Sequence, residues 1–161
     1  MTAHAALLEQ NDFYKSLLAY DFSFLRNRFD EKFPMWKNAF PDIQQELKRF
    51  FFLTEQTDKP LAVLSTKVDE LWHLFILHTP QYIQFCDDMF REYIHHQPHN
   101  PQTPVPREAI MNFYELYPKT FGHLPEIWSE DIEEHMSEIR QGRCPEGLTF
   151  EWSGWTGRLR K

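Results

Sequence analysis

The chain has 161 residues, a formal net charge of -7 and 16% aromatic residues but only five glycines, which suits one compact domain with a sizeable core and excludes a disordered or collagen-like chain. The negative charge excludes a general nucleic-acid coat, which needs a cationic field, and two cysteines, Cys86 and Cys144, are too few for a disulfide-stapled secreted scaffold. The first ten residues lack the pattern of a secretory signal and no apolar run reaches the ~18 residues of a membrane span, so the expectation is a cytoplasmic chain with no nucleic-acid or membrane partner.

Leu7, Leu8, Phe13, Leu17, Leu18 and Tyr20 recur at helical spacing and predict a helix over about Ala5 to Tyr20. Phe22, Leu25 and Phe29 predict a second, short one, which Pro34 and Pro41 interrupt. From Pro41 the stripe Ile43, Leu47, Phe50, Phe51 and Leu53 specifies an amphipathic helix that Thr57-Asp-Lys-Pro60 breaks. Thr66 followed by Asp69 fits a capping box for a helix from about Lys67 to Leu77, apolar nearly all round and therefore central. Thr79-Pro80 then caps and starts a helix to about Ile94, turning a corner from the one before.

Four prolines between Gln97 and Pro106 predict a stiff surface loop, and Ile110, Phe113, Tyr114 and Tyr117 a further helix over about Pro106 to Tyr117. Ser129 is expected to cap a last, acidic helix to about Arg140, and Leu148 to Gly157 alternates like a short hairpin or extended arm. The reading is therefore all-α: a single helical domain of six or seven helices over residues 1–147, with residues 148–161 as a tail that is free or packed on it.

Five of the eight histidines lie between Trp72 and Asn100, and with Asp69, Glu70 and Cys86 they supply the ligand types of a transition-metal site. Asp69 and Glu70 stand four and three residues before His73, so either carboxylate can orient that imidazole or join it on an ion. His73 and Cys86 lie at similar distances from the Thr79-Pro80 corner, roughly 9 Å of helix each, whereas His95 and His96 lie on the order of 14 Å beyond Cys86. A site built from His73, Cys86, His95 and His96 therefore needs a bend that brings the histidine pair back. The competing readings are plainer: a His hydrogen-bonded in an aromatic core, an Asp capping its helix, and a small core cysteine.

No phosphate loop, G-x-S-x-G, H-E-x-x-H or CxxC is present. Two function classes remain open. One is a non-enzymatic binding or adaptor module, with a single structural zinc-like ion and a protein partner docking at Trp152 and Trp155 beside the basic tail. The other is a small metal- or thiol-dependent hydrolase using His73 and Cys86.

The pattern Val68-Asp69, Trp72-His73, Thr79, Tyr82, Phe85-Cys86 and His95-His96-Gln-Pro98 resembles the glycine-rich domain-containing protein-like family, over about half the chain. That resemblance implies a helical fold and draws attention to His73, Cys86, His95 and His96; it implies no activity. Two features depart from it: this chain has no glycine-rich segment, and Arg91 stands where Gly is expected.

Overall fold

A computed structural model describes residues 8–97 and 105–131. Residues 8–10 are helical, and Asn11 then separates them from α1 (Asp12–Ala19), its side chain accepting the Tyr14 N–H at 2.9 Å. The helix expected over Ala5 to Tyr20 is thus split, because an Asn that satisfies a free helical N–H favours a cap over a helix interior. Asp21 accepts from Ser23 N and Oγ and turns the chain into a 3-10 segment (Ser23–Leu25) that runs into α2 (Arg26–Lys32). A second 3-10 segment (Pro34–Ala39) leads to α3 (Phe40–Gln56), with Pro41 in its first turn, where the missing N–H is harmless.

Residues 57–65 cross without regular structure to α4 (Thr66–Leu77), followed at once by α5 (Thr79–Phe90). His78 is the hinge between them: its N–H bonds to Phe75 O and its Nδ1 lies 2.9 Å from Leu74 O. Thr79 and Pro80 therefore occupy first-turn positions of α5, and His78 takes the cap expected of Thr79. α6 (Arg107–Phe121) passes through Pro118 and closes at Gly122, and α7 (Glu126–Ser129) is a single turn. The all-α class holds, with no β-strand among the described residues, and no helix there is long and apolar enough to cross a membrane.

α4 is the central element, packed between α3 and α5. Val68, Leu71, Trp72, Leu74 and Phe75 are buried while Leu77 is 75% exposed, so the helix buries most of its circumference and leaves Asp69, Glu70 and His73 on a half-buried polar face. Trp72 meets Phe50 and Phe51 of α3, and Phe75 meets Phe22, Tyr82 and Phe85. At about 1.5–3 kcal/mol for each large side chain removed from water, these contacts dominate the stability of the fold.

Two polar devices fix what the apolar core cannot. Ser65, not Thr66, caps α4, its Oγ accepting the Val68 N–H at 3.4 Å. Asp131 accepts from Thr66 N and Oγ1, both at 2.9 Å, so the capping carboxylate comes from 65 residues away and Asp69 is left for another role. The second device is Glu46, 5% exposed, whose carboxylate accepts from Arg49 (2.8 Å), Tyr117 (2.5 Å) and Trp128 (2.7 Å), pinning α6 and α7 to α3. Ser129 ends α7 and donates to Glu126 O. The acidic helix to Arg140 and the tail at 148–161 lie outside the described residues.

The helix expected to reach Ile94 stops at Phe90, because Arg91 adopts a left-handed conformation (φ 59, ψ 14) and its N–H closes the turn on Asp87 O at 3.2 Å. The chain then reverses, and Ile94 is buried under the α4–α5 corner. A left-handed residue with a Cβ is strained by about 1–2 kcal/mol, partly offset for Gly by its greater unfolded freedom. Arg91→Gly should therefore stabilise the protein by about 0.5–1 kcal/mol in urea denaturation; a destabilised variant would show that the Arg91 side chain contributes more than its backbone costs.

Candidate functional site

The reversal after Arg91 supplies the bend that the sequence left open. It returns the chain along α4 and sets His96 against Asp69 and His73, which share one face of α4 at the i, i+4 spacing. His96 Nε2 lies 2.8 Å from Asp69 Oδ1 and 2.9 Å from His73 Nε2, and His73 Nε2 lies 3.5 Å from Asp69 Oδ2. Among the described residues this is the group of His, Cys, Asp and Glu side chains whose donor atoms converge closely enough to hold a metal ion.

The backbone of the return segment is held by a chain of hydrogen bonds. The Trp72 indole donates to Tyr82 OH at 3.0 Å, and Tyr82 donates to Ile94 O at 2.5 Å, two residues before His96. The His96 ring then lies flat on the Trp72 indole, with centroids 4.2 Å apart and planes 15° apart. Trp72 and Tyr82 are both buried, so these bonds have no competition from water.

The cluster grades from dry to wet: the His96 side chain is 5% exposed, Asp69 22% and His73 32%. Burial pushes the His73 imidazole below its ordinary value, against the pull of Asp69, so the ring is neutral at pH 7 with a lone pair to offer. The buried Nδ1 of His96 has no partner among the described residues, so Nε2 and the indole face orient the ring.

Several pairings are open to the three groups, since either imidazole can donate Nε2–H to an Asp69 oxygen or to the other ring, and the same nitrogens and carboxylate are the donor types that could hold a metal ion. Atoms bound to one ion at about 2.1 Å lie about 3.0 Å apart as octahedral neighbours and about 3.4 Å apart in a tetrahedron. The separations of 2.8, 2.9 and 3.5 Å fall around those values.

Of the residues singled out in the sequence, the fold brings together His73, His96 and Asp69. Glu70 turns away to Lys32 at 2.9 Å. The His95 ring packs on Tyr93 instead. Cys86 is buried at 2% exposure, and burial raises its pKa. Of the expected set His73, Cys86, His95 and His96, the fold brings His73 and His96 together with Asp69, and Cys86 and His95 are not in that group. Trp152 and Trp155, expected to bind a partner, lie outside the described residues.

Removing the Tyr82 hydroxyl leaves the Trp72 N–H and the Ile94 carbonyl buried and unpaired, so Tyr82→Phe should cost about 1–3 kcal/mol in chemical denaturation, far more than its lost volume implies. A neutral result would mean that the return segment is held by packing alone.

No curated protein and no solved structure matches the chain. The resemblance to the glycine-rich domain-containing protein-like family does not hold, because the matching family is a different one. Of the residues that carried the resemblance, Val68, Trp72, Tyr82, Phe85 and Cys86 are buried between the helices. The UCP032817-like family model covers residues 14–127, more than two thirds of the chain, and to that family the chain belongs.

Proposed function

We propose that the protein is a non-enzymatic binding module that holds one divalent transition-metal ion, of the zinc type, on Asp69, His73 and His96. The observation that carries this reading is the convergence of one carboxylate and two imidazole nitrogens at 2.8, 2.9 and 3.5 Å. Two imidazoles and a carboxylate, without a thiolate, favour Zn, Mn, Fe(II), Co or Ni over soft ions such as Cu(I). The ion would join α4 to the return segment across 23 residues of chain and so act as a clip on the fold. A protein partner at the tail tryptophans belongs to the same proposal, as does a reducing compartment, which suits the free thiol of Cys86.

A second reading rests on the ligand count. Three protein donors leave a coordination position open, the pattern of catalytic rather than closed structural zinc sites, which favours a metal-dependent hydrolase among enzymes. The thiol-dependent form has no such support, since a buried thiol of raised pKa, away from His73, is a poor nucleophile. His73-dependent hydrolysis of a nitrophenyl ester by zinc-loaded protein would move the assignment to the enzyme.

Zinc titrated into EDTA-treated protein should bind with a stoichiometry near one in calorimetry and, at about 100 times its Kd, stabilise the fold by about 2.7 kcal/mol, roughly 5–10 °C in Tm. Asp69→Ala, His73→Ala and His96→Ala should each weaken binding by about 100-fold or more, whereas Cys86→Ala should leave it unchanged. Affinity should fall as pH drops, because both imidazoles must be deprotonated to bind. Absence of binding at neutral pH, or binding lost in Cys86→Ala and kept in His96→Ala, contradicts the assignment.

A further inference from the structure

Three protein donors leave one side of a bound ion open, and the fold places a cation at that side. Exposure rises from 5% at the His96 side chain to 22% at Asp69 and 32% at His73. An ion held by the three is therefore screened on one side by the His96 ring stacked on Trp72, and meets water on the face of α4 that carries Asp69, Glu70 and His73. Glu70 stands three residues before His73, one helical turn away, and its carboxylate holds the Lys32 ammonium at 2.9 Å.

Lys32, the last residue of α2, is positioned twice. Its Nζ meets Glu70 and lies over the Phe33 ring at 4.8 Å, and Phe33 is itself stacked on Trp36 with centroids 4.9 Å apart. The Lys32 side chain is still 48% exposed, and an ammonium has three N–H donors, of which Glu70 takes one. Lys32 thus keeps donors for a second acceptor at the wet edge of the centre, and its charge reaches the His73 ring.

Charge points to the kind of acceptor. A divalent ion on one carboxylate and two neutral imidazoles carries one net positive charge, and the Lys32–Glu70 pair beside it adds none. Water in the open position leaves that charge in place, whereas an anion cancels it. We propose that the open position takes an oxyanion, carboxylate or phosphate, with one oxygen on the metal ion and another accepting from Lys32 Nζ. This rests on the metal reading above and names the ligand class of the same site. Glu70 competes with the oxyanion for Lys32, so it tunes affinity without touching the ligand.

Cobalt(II) reports its own coordination in the visible spectrum, so the test is titration of the cobalt-loaded full chain with sodium acetate and, separately, sodium phosphate, at an ionic strength held constant with perchlorate and with cobalt content measured on the same samples. At least one of the two anions should shift the cobalt bands saturably; a response to acetate assigns the carboxylate, a response to phosphate the phosphate. Lys32→Ala should weaken that anion about 5-fold while cobalt affinity is unchanged, and Glu70→Gln, which frees Lys32 and removes a negative charge, should tighten it by about the same factor. Bands that neither anion shifts, or an anion affinity that is the same in both variants as in the native chain, overturn the proposal and leave the metal centre standing. Protein that takes up no cobalt overturns the metal reading and the oxyanion site together.

Discussion

The site depends on a chain of two hydrogen bonds, from the Trp72 indole to the Tyr82 hydroxyl and from that hydroxyl to the Ile94 carbonyl. It joins the middle of α4, the first turn of α5 and the segment beyond Arg91, all within a region from which water is excluded. That hydroxyl donates once and accepts once, and loss of either bond would leave a buried polar group unmatched. The constraint explains why α5 gives up its last expected turn. Continuing the helix to Ile94 would carry His95 and His96 away from α4; reversing at Arg91 spends some backbone strain and gains a buried Ile94, a paired carbonyl and the His96–Trp72 stack.

Polar groups are buried in this protein in two different ways. Glu46 is saturated: three donors from α3, α6 and α7 converge on its two oxygens, and the Arg49 guanidinium lies over the Phe121 ring at 5.2 Å, so nothing is left for a ligand. Asp69, His73 and His96 converge as closely, but with no fourth side chain closing over them, and their donor atoms could hold a metal ion. Breaking a satisfied buried pair costs about 3–5 kcal/mol, which makes Glu46 a structural clamp.

Much of the fold was legible from periodicity. The stripes of α3, α4 and α6 fall where the spacing of their aromatic and aliphatic residues places them, because a helix that must bury one face writes that face at 3.6-residue intervals. Caps were less legible: Ser65, Thr66 and Asp131 share the start of α4, and the decisive carboxylate is 65 residues distant. The site was half legible. Asp69 and His73 announce themselves by spacing, and His96 by composition, but the turn at Arg91 carries no residue that prefers a left-handed backbone, so nothing local marks where α5 ends. Cys86 is the converse case: a thiol at the same level as a histidine is compatible with a ligand on paper, and the structure places it buried and outside the group formed by Asp69, His73 and His96.

The central claim is that one carboxylate and two imidazoles, without Cys86, form a metal centre. X-ray absorption at the zinc edge of the zinc-loaded full chain tests it most directly. The account predicts a first shell of nitrogen and oxygen alone at about 2.0–2.1 Å, with the outer-shell scattering of two imidazole rings. A sulfur scatterer at about 2.3 Å, or a first shell without imidazole, would contradict it.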